Sequence, residues 1–133
     1  MTVCFTVPGK PQGKARPRFT RSGHTYTPGS TAAYEARVKL AYKQAGGEKL
    51  NGFVTVGICA VFAVPKSYTK AQKAAAFDVR YVPKKPDCDN IAKIILDALN
   101  GLAYDDDAQV VKLYVEKRYG AFDHVTVVLE GSE

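Results

Sequence analysis

Acidic residues are concentrated in one stretch of the chain. Residues 87–107 hold six aspartates and one lysine, a local charge of −5 in a chain whose net charge is +6. Asp87 and Asp89 are two positions apart, and Asp105–Asp107 form a triplet. In an extended segment the side chains of residues i and i+2 share a face, so Asp87 and Asp89 are expected to converge. Converging carboxylates repel one another, and a hard divalent cation such as Mg²⁺ removes that repulsion.

The basic residues are concentrated near the start of the chain. Residues 1–46 hold eight Lys or Arg and one acid, a charge of +7. A basic surface attracts polyanions such as nucleic acid. A cation site beside such a surface points to a phosphodiester substrate, with the cation activating water and stabilising the leaving oxygen. Lys93 follows Asp89 by one helical turn, where an ammonium can neutralise phosphate charge in the transition state.

Each acidic feature also has a purely structural explanation. Asp87 and Asp89 fit a turn and a helix cap, because Asp is a favoured N-cap residue. The aspartate triplet fits a solvated loop, and Lys93 with Asp97 fits a surface ion pair at i, i+4 spacing. On this interpretation the chain is a non-catalytic DNA- or RNA-binding module. The residue types alone leave both interpretations open.

Hydrophobic periodicity predicts the elements that position these residues. The dense glycines and prolines of residues 8–29 predict a long loop or hairpin, and Val79–Pro86 is expected to be extended. The nearly all-apolar segment Phe53–Phe62 predicts a central strand covered on both faces. Strands are predicted at Val3–Val7, Phe53–Phe62, Gln109–Tyr119 and Val125–Leu129, and helices from Ser30 or Thr31 to Ala45, at Ser67–Phe77 and at Asn90–Leu99.

These elements predict an α+β (mixed α/β) fold in one small domain, residues 1–133. About four strands form a mixed sheet that packs against helices. The basic loop, residues 8–29, and the acidic segment, residues 85–110, are both parts of this domain.

Several classes of protein are excluded by composition. The longest apolar run, Ile58–Val64, is far shorter than a membrane span requires, and the N-terminus lacks the features of a signal peptide. Three cysteines without metal-ligand spacing argue against both a disulfide framework and a zinc site. We therefore expect a soluble, cytoplasmic protein with no membrane partner and no organic cofactor.

Three segments together resemble the RusA family of Holliday junction resolvases. They are GKPQGKARPRFT at Gly9–Thr20, KPDCDNIAKIILDALNG at Lys85–Gly101 and YDDDAQV at Tyr104–Val110. The likeness covers roughly residues 2–128. It implies a homodimeric endodeoxyribonuclease that requires Mg²⁺, with Mn²⁺ as a substitute, and that resolves four-way DNA junctions by paired symmetric nicks in recombination and repair. A general branched-DNA or flap nuclease is the alternative among enzymes.

The resemblance also implies roles for single residues. The family's D-x-D-N-x-x-K motif falls on Asp87, Asp89, Asn90 and Lys93. It implies that the two aspartates are essential metal ligands and that Lys93 contacts the scissile phosphate. The second Asp of the family's D-D-A-Q motif, an essential carboxylate, falls on Asp107. The first falls on Asp106, as an assisting ligand, whereas Asp105 lies outside the motif and is interpreted as a solvated loop residue.

The basic residues are the predicted DNA contacts. The loop side chains, interleaved with aromatic residues, are expected to act as flexible prongs on the junction arms, although a solvated loop is the alternative. Some family members have arginines directly before the first motif aspartate, where this chain has Lys84, Lys85 and Pro86. Lysine supplies charge without the bidentate geometry of arginine. The predicted DNA-binding residues are Lys14, Arg16, Arg18, Arg21, Lys84, Lys85 and Lys93.

Overall fold

A four-stranded mixed sheet forms the centre of the fold. The computed structural model describes residues 1–15, 18–19, 21–26, 29–77 and 83–133. The strands of the sheet are β1 (Thr2–Pro8), β4 (Val54–Ala63), β5 (Val110–Gly120) and β6 (His124–Gly131). Their order across the sheet is β1-β6-β4-β5. The two-residue strands β2 (Arg18–Phe19) and β3 (Thr25–Tyr26) pair separately as an antiparallel hairpin, which agrees with the predicted loop or hairpin.

One strand pair of the sheet is parallel. β6 is antiparallel to β1 and to β4, whereas β4 and β5 run in the same direction, with Ile58 opposite Val115. Because parallel neighbours need a long crossover connection, the chain must return from the end of β4 to the start of β5. The helices α2 (Lys70–Ala76) and α3 (Cys88–Leu99) lie in this return, so the parallel pairing places the acidic segment beside β5.

The helices α1 (Gly29–Gln44) and α3 pack on one face of the sheet. α1 contacts β1 and α3, and α3 also contacts β5. The buried face of α3 consists of Ile91, Ala92, Ile94, Ile95, Ala98 and Leu99, as its i, i+3, i+4 spacing predicts. These side chains join alternate residues of the strands in one core. The prediction of an α+β fold with a four-stranded mixed sheet is confirmed, and no helix in the described part of the chain is suited to cross a membrane.

Two details of the sequence prediction are wrong. The helix expected to begin at Asn90 begins at Cys88. β4 is an interior strand, but only one of its faces is fully covered, since Thr55, Gly57 and Cys59 are half-exposed on the other. The apolar content of β4 hid this difference, because glycine, cysteine and threonine tolerate a partly solvated face. Of the segment predicted to be extended, residues 79–82 lie outside the described residues.

Candidate active site

The start of α3 determines where the first two aspartates lie. Asp87 is the N-cap residue, with φ −69° and ψ 155°, yet its side chain makes no capping hydrogen bond. Asp89 is in the first helical turn. The expectation that Asp87 and Asp89 share a face of an extended segment is therefore wrong, because the helix begins between them and each helical residue turns the chain by about 100°. The two carboxylates line different cavities of the surface.

A groove of about 270 Å³ lies along the exposed side of α3. Asp89, Lys93 and Asp97 follow i, i+4, i+8 spacing on the helix and line the groove from that side. Asp107 lines it from the segment before β5. The Lys93 Nζ lies 3.7 Å from Asp97 Oδ2. Of the predicted catalytic residues, the structure thus brings Asp89, Lys93 and Asp107 to one groove.

Asp97 is the groove residue that sequence reasoning treated only as a surface ion pair. Its side chain is 28% exposed and contacts two lysines, Lys93 of the same helix and Lys14 of the N-terminal loop, the latter at 3.3 Å. The repeat of charged residues at positions 89, 93 and 97 was the available signal, since this spacing places side chains on one helix face. No local pattern of the sequence indicated that Lys14 of the N-terminal loop would be the second partner of Asp97.

The D-D-A-Q motif forms a capped 3₁₀ turn, Asp107–Gln109. Asp106 caps it by accepting a hydrogen bond from the Ala108 N–H at 3.0 Å, and the Gln109 side chain accepts from the Asp106 N–H at 3.2 Å. Gln109 Nε2 in turn donates to the Gly52 carbonyl at 3.0 Å. The motif therefore has a local structural role, which fixes the backbone from which Asp107 projects.

Asp106 and Asp107 influence each other's ionisation. The hydrogen bond from the Ala108 N–H lowers the pKa of Asp106, and a hydrogen bond shared with Asp107 lowers it further. The pKa of Asp107 is raised by the same shared hydrogen bond, then by burial, and then by the negative charges of Asp106 and Asp97. The positive charge of Lys93 opposes this rise. Two adjacent carboxyl groups in one place favour one shared proton or one bound cation. The capping oxygen of Asp106 is already used, and its predicted role as an assisting ligand stays a prediction.

The predicted metal ligands do not converge on one point within the described residues. Among those residues no three His, Cys, Asp or Glu side chains form a group that could hold a metal ion. Asp89 is at the start of α3, whereas the Asp107 N–H donates to Asn100 Oδ1 at 3.1 Å, just beyond the helix end. Asn100 is eleven positions after Asp89, a rise of about 16 Å along the helix axis. From that end the Asp107 carboxyl interacts with the charges of Asp97 and Lys93.

The donor chemistry nevertheless suits Mg²⁺. Every candidate ligand is a carboxylate oxygen, and Mg²⁺ commonly uses one or two carboxylates and completes its shell with water and substrate phosphate. Asp89 and Asp107, which line a solvent-open groove, fit such an open site. Within the described residues, no third carboxylate joins Asp89 and Asp107 to form a closed metal cage.

A second cavity, of about 600 Å³, lies on the other side of the helix start. Asp87 and Asn90 line it together with the N-terminal loop, which contributes Lys10 and Lys14, and with Lys85. Lysines and a carboxylate at one cavity can hold a phosphate chain beside a cation. The groove and this cavity flank the first turn of α3, so the two motif aspartates face separate parts of any substrate laid across the helix start.

Lys14 is held by protein carboxylates rather than extended into solvent. Its Nζ lies 2.9 Å from Glu35 Oε1 of α1 and 3.3 Å from Asp97 Oδ2 of α3, and the Lys14 side chain is only 16% exposed. The backbone N–H of Lys14 also donates to the Asn90 carbonyl at 3.1 Å. The expectation of a flexible prong is therefore wrong for Lys14, because this ion cluster attaches the loop to both helices.

The other predicted DNA contacts lie around the loop and the second cavity. Lys84 and Lys85 are exposed before α3, and Arg21 is exposed in the turn that follows β2. Arg18 lies in β2, and Arg16 falls outside the described residues. Their roles as DNA contacts stay predictions. Asp105 pairs with Lys49 at 2.8 Å on the exposed surface, in agreement with the solvated-loop interpretation.

Comparison with known proteins identifies one family and one similar bacterial protein. The profile of the family described as Endodeoxyribonuclease RusA matches residues 8–130. The chain is 35% identical over 134 residues to a protein named "Uncharacterized protein YqaN" of Bacillus subtilis (strain 168). That alignment covers 96% of this chain and 94% of the Bacillus protein. The match to the family profile includes both acidic motifs and the loop that carries Lys14.

Proposed function

Because this chain belongs to the RusA family of endodeoxyribonucleases, we propose that it resolves four-way DNA junctions by paired nicks, with Mg²⁺ as cofactor and Mn²⁺ as a substitute. The observation that carries the proposal is the groove along α3. It is lined by Asp89 and Asp107, which the resemblance implies are essential carboxylates, and by Lys93, which it implies is a phosphate contact. Paired symmetric cuts on a two-fold substrate suit a two-fold homodimer, and junction resolution would serve recombination and repair.

The acidic and the basic residues of the groove would have different roles. Asp89 and Asp107 would each offer a carboxylate to a cation bound in the groove with water and substrate phosphate, and Asp87 would offer its carboxylate from the neighbouring cavity. A bound divalent cation supplies Lewis-acid polarisation of the phosphate. Lys93 is 61% exposed, so its ammonium can approach a phosphate laid along the groove and neutralise charge that grows in the transition state. Asp97, 3.7 Å from the Lys93 Nζ, restrains that side chain.

Substrate binding involves the basic side of the helix start. Lys10 and Lys85 line the cavity that contains Asp87, and Lys84 is exposed next to it. Positive charges at this position attract the phosphates that flank the cut and make binding dependent on salt concentration. The carboxylates of the groove would repel the same phosphates unless a cation were bound. The arrangement therefore favours cleavage only when substrate and cation are both present.

A synthetic four-way junction tests the proposal. We expect symmetric nicks with Mg²⁺ or Mn²⁺, and we expect Asp89→Asn to reduce the rate at least about 100-fold, equivalent to about 2.7 kcal/mol. Asp105→Asn is the matched control, because Asp105 lies outside the groove and pairs with Lys49. It should cut at the wild-type rate.

Two results would contradict the proposal. Binding of the junction without cleavage, under either metal ion, would make the chain a non-catalytic DNA-binding module. Faster cleavage of a flap or of linear duplex than of the junction would indicate a general branched-DNA nuclease. Gel analysis of the three substrates, each labelled on one strand at a time, separates these outcomes.

A further inference from the structure

Lys117, a residue of β5, binds the backbone of the segment that leads into α3. Its Nζ donates to the carbonyl oxygen of Pro83 at 2.7 Å and to that of Pro86 at 3.2 Å. A longer contact of 3.4 Å reaches the carbonyl oxygen of Lys84. The ammonium group has three N–H donors. All three of its hydrogen-bonding directions are thus taken by main-chain oxygens of residues 83–86, directly before Asp87.

Residues 83–87 belong to neither a helix nor a strand. Pro83 and Pro86 have no N–H to donate, and residues 83–87 precede the first residue of α3. Carbonyl groups that are partly removed from water need a donor, because an unpaired one keeps its full desolvation penalty. Lys117 supplies that donor from the sheet. Its strand is paired along its length with β4, where Ala60 lies opposite Lys117, so the lysine projects from a rigid element.

The N-terminal loop holds the same segment from the other side. A Cβ added at Gly13 would lie 2.9 Å from Pro86 Cβ and 3.0 Å from Asn90 Cβ, so loop and helix start are in close contact. The Lys14 N–H donates to the Asn90 carbonyl. The helix start is therefore fixed between the loop and the Lys117 ammonium, and Asp87 and Asp89 project from this fixed turn.

We propose that Lys117 is a positioning residue of the active site, which anchors residues 83–86 to β5 and so fixes the orientation of Asp87 and Asp89, the candidate cation ligands. The inference rests on the proposed nuclease function. It assigns to Lys117 no contact with DNA. Its ammonium is committed to protein carbonyls, in contrast to the exposed lysines 84 and 85 that precede α3. Residues that orient ligands in this way commonly change metal affinity or activity by about 10–100-fold when they are replaced.

The first test uses the protein without metal or DNA. Lys117→Met keeps the length of the aliphatic side chain and removes the ammonium. Hydrogen exchange of peptides covering residues 83–91 should become at least about tenfold faster in this variant, because the anchored segment opens more often. Lys112→Met is the matched control. It removes one exposed lysine from the same strand, opposite Thr55, and should leave that exchange unchanged.

The second test measures cleavage of the four-way junction at a temperature where circular dichroism shows every variant to be folded. We expect Lys117→Met to lower kcat about 10–100-fold and to raise the Mn²⁺ concentration for half-maximal rate. Its junction affinity without divalent cation should differ from that of Lys112→Met by less than about twofold. Lys117→Arg, which keeps a charged group with several donors, should recover most of kcat and gives a readout if Lys117→Met fails to fold.

The outcomes separate this inference from the function on which it rests. If the wild type cuts the junction and Lys117→Met cuts and exchanges like Lys112→Met, Lys117 has no positioning role. A loss of junction affinity without loss of kcat would also overturn the inference, because it would make Lys117 a DNA contact. If the wild type itself does not cut, the proposed function fails, and exchange in residues 83–91 still shows whether Lys117 anchors the segment.

Discussion

Lys14 is the residue whose replacement should most clearly reveal how the N-terminal loop is attached. Its ammonium lies between Glu35 of α1 and Asp97 of α3, with side-chain exposures of 16%, 16% and 28% for the three residues. Lys14→Met removes the cation but retains the apolar stem. Glu35 would then lose the Lys14 ammonium, and Asp97 would keep only its longer contact of 3.7 Å with the exposed Lys93.

The expected cost follows from this intermediate burial. Fully exposed ion pairs contribute about 0.2–1 kcal/mol, whereas removal of one partner from a buried pair costs about 3–5 kcal/mol. A lysine that is mostly buried and has two partners should lie between these limits. We therefore expect Lys14→Met to lower the free energy of unfolding by about 2 kcal/mol. In a chain of this size that loss corresponds to a fall in Tm of about 8 °C.

The dependence on pH provides an independent check. Burial lowers the pKa of Lys14, but its hydrogen bonds and charge interactions with Glu35 and Asp97 outweigh burial and raise the pKa above its ordinary value of 10.5. A lysine whose pKa rises on folding stabilises the native state fully below the unfolded value and loses that contribution as pH passes the folded value. The stability gap between wild type and Lys14→Met should thus be constant from pH 7 to 9 and shrink above pH 10.5.

Urea denaturation followed by far-UV circular dichroism suits this protein, which has no tryptophan. Lys39→Met, at an exposed position of α1, is the control for loss of one positive charge. A double-mutant cycle with Glu35→Gln should give a coupling energy of at least about 1 kcal/mol. The reasoning is refuted if Lys14→Met costs no more than Lys39→Met, or if the cycle shows no coupling.

Two further substitutions test contacts around α3. Gly13→Ala should lower the free energy of unfolding by about 1–3 kcal/mol, because the new Cβ would lie 2.9 Å from Pro86 Cβ. Gly57→Ala is the control, because its added Cβ would meet open space. Equal urea midpoints for the two variants would contradict the close contact. Tyr104→Phe should lower the free energy of unfolding by about 1 kcal/mol, because the buried Tyr104 hydroxyl donates to the Leu96 carbonyl at 2.8 Å. An unchanged Tm in calorimetry would show that this hydrogen bond contributes nothing to stability.

Most of the fold was predictable because its signals are local. The alternation of Val3, Phe5 and Val7 and the helical spacing of Ile91, Ile94 and Ile95 each reflect one buried face of one element. The start of α3 was misplaced by two residues for the same reason. Cys88 is spaced by three residues from Ile91, but a single cysteine is a weak apolar signal. Asp89 gives none, so the pattern indicated the helix only from Asn90 onward.

The arrangement of the candidate site was only partly predictable. Motif spacing selected Asp89, Lys93 and Asp107, and the structure brings these to one groove. Motif spacing did not reveal that Asp87 faces another cavity, because that depends on the direction in which the first helical turn points. Nor did it reveal Asp97 as the partner of Lys14, since 83 residues separate them and their contact requires the loop to cross α3.

The sequence by itself determined which residue types are available and where charge accumulates. The acidic segment, the basic N-terminal third and the buried face of α3 are properties of the order of residues alone. Tertiary structure decided how these parts meet. The parallel pairing of β4 with β5 places Lys117 under residues 83–86, and the packing of α1 on α3 brings Glu35 and Asp97 to the same lysine. Both contacts join segments far apart in the chain, so their geometry follows from packing the whole core and not from any local pattern.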